Sequence, residues 1–303
     1  MSAGEALMPP AGDPAGDETT VPADAGRWGR LRRSPTFLLA ASLVALMTAV
    51  ALLPGLFAGL FGNGDPRECD LARSGMGASA GHPFGFDMQG CDLYANVIHG
   101  ARASISVGVL VTVASSAVAV VLGTLAGFYG RWLDGILSRL IDVFMGFPFM
   151  LGALVVLIAF PSGSIWSVSL TLTLFGWPTL TRLMRSTVLS VRELDYITAG
   201  RALGATDLRL MVRHVVPNAV GPLIVLAALT VGTVIVAESA LTYLGVGLHA
   251  PAISWGLQLS MAQNDFQSHP HLLLYPSLFL SVTVLGFILL GDSLREALDP
   301  RSR

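Results

Sequence analysis

Six apolar runs, each near or above the length of a membrane-crossing helix, constrain this chain more than any other feature. They lie at Phe37 to Phe61, Ser104 to Tyr129, Val143 to Phe160, Ile165 to Leu183, Ala219 to Val246 and Leu272 to Leu290. At 1.5 Å per residue, about 20 residues cross roughly 30 Å of hydrocarbon, where a helix satisfies its own backbone polar groups. With 53% hydrophobic and 13% charged residues, the composition is not that of an ordinary soluble chain. The runs predict an all-α integral membrane protein of about six transmembrane helices. A cleaved signal peptide does not account for the first run, which is too long and begins too deep in the chain.

The distribution of arginine supplies an orientation. Arg27, Arg30, Arg32 and Arg33 directly precede the first run. If that flank faces the cytoplasm, Arg131, Arg139, Arg182, Arg185, Arg192, Arg201, Arg209, Arg213, Arg295, Arg301 and Arg303 fall on the same side, leaving Arg67, Arg73 and Arg102 opposite. The segmentation expected is a disordered cytoplasmic tail over 1–34, whose Ala, Pro, Gly and acidic residues offer little to bury; a first transmembrane helix over 35–61; an extracytoplasmic loop over 62–103; a five-helix core over 104–291 with a cytoplasmic loop at 190–217; and a cytoplasmic tail over 292–303. Both termini lie inside. Membrane lipid is the surroundings this composition implies, and a net charge of -2 carries no signal for nucleic acid.

All eighteen basic residues are arginine. Without lysine there is no Walker-type phosphate loop, Schiff base or serine-lysine dyad, so if ATP drives this protein another chain hydrolyses it. Two cysteines, Cys69 and Cys91, cannot cage zinc or an iron-sulfur cluster, and no metal site is expected. Both lie in the 62–103 loop, where an oxidising compartment would let them pair. The bridge would close a loop of about 20 residues, a contribution on the order of 3 kcal/mol; two unpaired thiols are the alternative.

The longest internal polar stretch, Val191 to Pro217, reads as two short helices. Asp195 is a good N-cap for a helix over Tyr196 to Leu203, and Gly204 suits the left-handed end of it. Thr206 can cap a second helix reaching about Val215, which Pro217 stops. Helices this short need a surface to pack on. The first is lined by Ala199, Gly200, Ala202 and Ala205 and flanked by Tyr196 and Leu203, so a groove on another protein or the chain's own membrane helices would serve.

The run Asp195-Tyr-Ile-Thr-Ala-Gly-Arg-Ala-Leu-Gly-Ala-Thr-Asp, followed by Arg213-His-Val-Val-Pro-Asn218, resembles the cytoplasmic loop of binding-protein-dependent ABC importer permeases. That loop carries Glu-Ala-Ala, a glycine four residues after its last alanine, and then an apolar-Pro pair. Gly204 and Pro217 match; Thr198 stands where the family usually has glutamate, and Gly200 where it has the second alanine. His82-Pro-Phe-Gly-Phe-Asp with Gly90 and Asp92, Gly100-Ala-Arg-Ala-Ser, Ala237-Glu-Ser-Ala-Leu-Thr-Tyr-Leu-Gly-Val-Gly, Ser254-Trp-Gly and Gly291-Asp-Ser-Leu-Arg-Glu-Ala-Leu-Asp-Pro resemble the dipeptide and oligopeptide branch, whose motifs metal-complex and glutathione importers share.

The resemblance implies a type I ABC importer permease fold in a bacterial plasma membrane. It implies a second permease chain completing the pathway, two cytoplasmic ATPases using ATP and Mg, and an extracytoplasmic peptide-binding protein. This chain itself would bind no cofactor and catalyse nothing. Tyr196, Thr198, Ala199, Gly200, Leu203, Gly204 and Pro217 would form the element that couples to an ATPase. Asp142 and Glu238, acids at or near span boundaries, are candidates for the substrate pathway, with a solvated or Arg-paired interfacial carboxylate as the plainer alternative.

Three motifs are set aside. Gly77-Ala-Ser-Ala-Gly81 fits a nucleophile pattern that would make Ser79, with His82 or His99, a hydrolase centre, but it lacks the strand-to-helix context. Gly245-Val-Gly-Leu-His-Ala250 mimics a dinucleotide fingerprint after a span, and His269-Pro-His271 is too sparse for a metal site. A self-sufficient secondary transporter would usually carry an internal repeat and acids deep in several spans, neither of which is evident. From sequence, Arg or Glu at Gly200 or Gly204 is expected to uncouple transport while the chain still inserts; normal transport-stimulated ATPase activity in such a variant would contradict this.

Overall fold

The computed structural model describes residues 34–62 and 64–298, and these are mostly helical apart from a long irregular stretch that ends at Asp92 and shorter connections, with β pairing limited to isolated bridges. The helices are α1 (Pro35–Leu52), α2 (Pro54–Ala58), α3 (Leu93–Tyr129), α4 (Arg131–Gly146), α5 (Phe149–Ala159), α6 (Ile165–Arg192), α7 (Asp195–Ala202), α8 (Asp207–Leu210), α9 (Val216–Tyr243), α10 (Trp255–Met261) and α11 (His271–Leu298). Among the described residues four helical stretches are long and apolar enough to cross a membrane: Pro35–Leu52, Leu93–Tyr129, Asp207–Tyr243 and His271–Ala297. The bent pair α4 and α5 makes a fifth. Six spans were expected, but α6, although 28 residues long, is not among the stretches apolar enough to cross, since it carries Arg182, Arg185 and Arg192 toward its end.

Several boundaries differ from the apolar runs. The first run was expected to be helical through Phe61, but α1 stops at Leu52, because a proline at 54 removes a backbone donor and pushes Leu53 out of the helical region, to φ -125 and ψ 53. The loop expected to last until Ala103 ends at Asp92, whose Oδ1 accepts from the N–H groups of Tyr94 at 2.9 Å and Ala95 at 3.4 Å and so starts α3. The run from Val143 to Phe160 is not one helix: it breaks at Phe147 and Pro148 with a bend of 83°. At the other end α11 runs to Leu298, so residues 292–298 are helical. The tail expected over 1–34 lies outside the described residues except for Ser34, which caps α1.

The longest packed seam joins α3 to α6. Small residues allow it: a side chain at Gly123 would meet Met184 Cβ at 2.8 Å, and one at Gly127 would meet Val188 Cγ1 at 2.8 Å and the Arg185 carbonyl oxygen at 2.9 Å. Without a hydrophobic force between helices in lipid, such close approach is what association rests on. Helix α9 packs on α3, α6 and α11, and α1 lies against α11 and α3. Two ends result. One holds the segment 64–92, joined by a Cys69–Cys91 disulfide, with α10. The other holds α7 and α8. Phe84 fastens the first to the helices, stacked on Tyr275 with centroids 3.9 Å apart and edge-on to Tyr94 at 5.1 Å.

Gly127→Ala is expected to destabilise the chain by about 1–3 kcal/mol, because its new methyl faces backbone. Gly135→Ala, which meets nothing within 4 Å on α4, is expected to gain up to about 1 kcal/mol of helix propensity. Thermal unfolding in detergent checks this, and equal effects at the two positions would contradict the close seam.

Candidate functional sites

Helix α7 begins at Asp195, with Leu194 rather than Asp195 at the N-cap, so the carboxylate sits in the first turn, where it faces the positive helix end instead of capping it. The helix closes in a Schellman turn: Gly204 has φ +82, its N–H donates to the Arg201 carbonyl at 3.0 Å, and the Ala205 N–H donates to the Gly200 carbonyl at 3.1 Å. Thr206 Oγ1 then accepts from the Arg209 N–H and opens α8. Pro217 does not end this second helix. A π-helical turn over Met211–Val215 carries α8 into α9 as one helical stretch, and Pro217 sits in the first turn of α9, where a missing N–H is tolerated.

One face of this hairpin is buried. Ile197, Leu210 and Val215 join Phe128, Met184, Val188 and Val191 in a single apolar cluster, and Gly200 lets Leu210 approach, its absent Cβ being 3.0 Å from Leu210 Cδ2. The other face is open: Tyr196, Thr198, Ala199, Gly204, Leu208, Val212 and Pro217 are exposed, and Leu203 is 89% exposed. The base is clasped by arginines. Arg192 Nη1 donates to the Gly127 carbonyl at 2.7 Å, Arg201 lies over the Phe128 ring at 5.5 Å, and Arg185 grips Asp134 of α4, with Nη2 to Oδ2 at 2.7 Å.

The two acids singled out from the sequence have different surroundings. Asp142 is exposed and pairs with Arg182 of α6 at 3.2 Å. Glu238 is wholly buried in α9, accepting from Thr242 Oγ1 at 2.9 Å and Ser239 Oγ at 3.2 Å, with the hydroxyls of Ser104 and Ser254 close by. Ser104 accepts from the Trp255 N–H, and Thr242 from the Leu248 N–H. This hydroxyl cage therefore ties α3, α9 and the 244–255 segment together. Asp142 and Glu238 do not meet in one site. Beside the bend at Phe147 and Pro148 lies a cavity of about 610 Å³ between α4, α5, α6 and α9, lined by Phe144, Phe147, Phe175 and Thr230 among others and without a charged side chain. Sequence reading missed it, although the Phe-Pro step inside an apolar run is the signal that reveals a broken helix.

The histidines and Ser79 at the disulfide end sit in local structural contacts. His82 Nδ1 is 2.8 Å from Asp92 Oδ2, His271 Nε2 lies 3.2 Å from the Phe86 carbonyl oxygen, and Ser79 is paired backbone to backbone with His82 in a turn. Asp87 accepts from the N–H groups of Gln89 at 2.9 Å and Cys91 at 2.8 Å; burial outweighs these bonds and holds its carboxyl above the usual carboxylate range. Among the described residues no three His, Cys, Asp or Glu side chains gather as metal ligands would.

Residues 119–303 match the family described as binding-protein-dependent transport system inner membrane component. The chain is 36% identical over 252 residues to a dipeptide transport system permease protein of Alkalihalophilus pseudofirmus, covering 83% of each chain. It is 34% identical over 258 residues to an oligopeptide transport system permease protein of Bacillus subtilis, covering 85% of this chain and 84% of the relative. A glutathione transport system permease protein of Pectobacterium atrosepticum is 33% identical over 279 residues, 90% of each. An all-helical membrane chain with these relatives and this matched core belongs to the binding-protein-dependent transport system inner membrane components, the permease subunits of ABC importers.

Proposed function

We propose that this chain forms half of the translocation pathway of an ATP-driven importer of dipeptides or oligopeptides. The second half comes from another permease chain. Two ATPase subunits, which use ATP and Mg, engage the α7–α8 hairpin from the cytoplasm, and an extracytoplasmic binding protein delivers the solute at the disulfide end. Both termini face the cytoplasm.

The observation that carries this reading is the divided hairpin. Its inner face is fixed to the ends of α3, α6 and α9, while Tyr196, Leu203, Leu208 and Val212 present apolar surface outward, uncovered among the described residues. Closure of the ATPases on ATP shifts the permease only through a difference in affinity between its two states, and moving it from 1:99 to 99:1 takes about 5.5 kcal/mol. Two nucleotides and two hairpins supply that difference jointly. Glutathione or another peptide-like solute is the second reading, favoured by the relative that matches over 90% of the chain.

Reconstitution of the whole complex in proteoliposomes, with its binding protein outside and ATP inside, tests the assignment. ATP-dependent accumulation of labelled dipeptides or oligopeptides is expected, with glutathione as the competing substrate; accumulation by this polypeptide alone would overturn it. Leu203→Asp, which alters a side chain that touches almost nothing in its own chain, is expected to leave the fold unchanged. It should reduce the ATPase that copurifies with the permease at least tenfold, as measured by pull-down in detergent.

A further inference from the structure

Helix α4 has an irregular joint at each end. At its start Gly130 and Arg131 follow one another with φ of +64 and +51. Glycine adopts that conformation freely, whereas an arginine rarely does, and such outliers gather where a structure moves or works. Arg192 lies against this joint, its Nη1 donating to the Gly127 carbonyl at 2.7 Å. At its finish the chain turns by 83° through Phe147 and Pro148 into α5. Between the joints stand 16 residues of unbroken helix, a rod of roughly 24 Å.

The rod is lightly held. Leu137 and Ile141 are buried, in one small cluster with Ala126 of α3 and Trp177 of α6. Both acids of α4 are given to arginines of α6: Asp134 to Arg185, with Nη2 to Oδ2 at 2.7 Å, and Asp142 to Arg182 at 3.2 Å. The opposite side, with Trp132, Ile136, Leu140 and Val143, is exposed and uncovered among the described residues. By contrast α6 is interlocked with α3 through Gly123 and Gly127. Motion between α4 and α6 therefore breaks two ion pairs and a small apolar contact, while motion between α3 and α6 breaks a close-packed seam.

The outer ion pair is suited to repeated breaking. Asp142 and Arg182 have side chains 58% and 51% exposed, and a pair so open to its surroundings exchanges for water at little cost. Charged side chains among membrane helices face a water-filled space or another protein, not lipid.

One and a half turns beyond Asp142 the rod reaches the cavity at the bend, to which it contributes Phe144, Met145 and Phe147. The remaining walls come from stretches midway along α6 and α9, among them Gly176 and Thr230. Non-helical backbone at such a level is tolerated where it borders protein or a water-filled space. A swing of α4 carries its three side chains off the cavity together and leaves the α6 and α9 walls standing.

We propose that α4 is a hinged strap across the translocation pathway, swinging at Gly130–Arg131 and Phe147–Pro148 in each transport cycle, with Asp134–Arg185 and Asp142–Arg182 positioning it in the arrangement seen here. The proposal rests on the importer reading above and adds to it a moving part and the residues that place it. Arg192, which holds the first joint, stands three residues before α7, so the joint and the hairpin share one support.

The test uses the whole complex in proteoliposomes with its binding protein. Asp142→Cys and Arg182→Cys together, bridged by a short bifunctional methanethiosulfonate, are expected to lower ATP-dependent uptake tenfold or more, and a reductant is expected to bring it back to within twofold of the unbridged variant. A bridged complex that imports within twofold of the unbridged one overturns the strap, as does an equal loss when either cysteine alone is treated. Arg182→Asp is expected to raise the ATPase activity seen without binding protein at least threefold, with the complex whole by size exclusion, and Asp142→Arg combined with Arg182→Asp to return it to within twofold of wild type. A combined variant no closer to wild type than Arg182→Asp removes the positioning role of the pair. Wild-type uptake that needs no ATP would overturn the importer reading and the strap with it; ATP-dependent wild-type uptake beside undiminished uptake in the bridged variant removes the strap alone.

Discussion

The close approach of α3 to α6 governs the rest of this structure. In hydrocarbon neither helix gains by leaving water, because both are already out of it, so their association depends on contact over an uninterrupted seam. Gly123 and Gly127 provide that contact where larger residues would meet Met184, Val188 and backbone. Because α6 is held there, its last turn is fixed in place, and Arg192 completes the attachment by bonding a carbonyl near the end of α3. The hairpin thus starts from an anchored point, which is why so short a pair of helices has a defined inner face and leaves a defined outer one.

A second fixed point lies at the opposite end. Glu238 has hydroxyls for partners and no arginine: Ser239 and Thr242 donate to its carboxyl, Ser104 and Ser254 stand beside it, and Ser104 and Thr242 in turn accept from the Trp255 and Leu248 N–H groups. Ser104 belongs to α3, Thr242 to α9, and Ser254 to the segment that leads into α10. The segment around Pro251 is therefore not a free loop over the bundle. It moves with α3 and α9.

The sequence disclosed the membrane character, because apolar runs of spanning length cannot be accommodated otherwise, and it disclosed the hairpin, because Gly204 and Thr206 are local signals for local geometry. What it concealed was set by partners far away in the chain. The first part of α3 holds Asn96, His99 and Arg102, polar enough to read as loop, and only the cap from Asp92 reveals it as helix. Pro217 reads as a stop, yet the π turn ahead of it absorbs the mismatch. Glu238 was legible as an acid in an apolar setting, but nothing near it in sequence indicates Ser104. Asp142 was equally visible, and its partner Arg182 belongs to a helix whose packing no local pattern encodes. The cavity at the Phe147 bend has no motif, since it is the space left between segments brought together by folding.

The uninterrupted helix from Asp207 to Tyr243 has a mechanical meaning. Its 37 residues make a rod roughly 55 Å long at 1.5 Å per residue, with the hairpin at its foot and the Glu238 knot near its head. The π turn, a single loosened coil, sits almost at the foot. A lever pivoted there magnifies small strokes: with about 42 Å from the turn to Tyr243, a tilt of about 10° sweeps the head through roughly 7 Å, given the same rise per residue. A small displacement at the hairpin end would in this way arrive at the opposite end enlarged in distance and reduced in force.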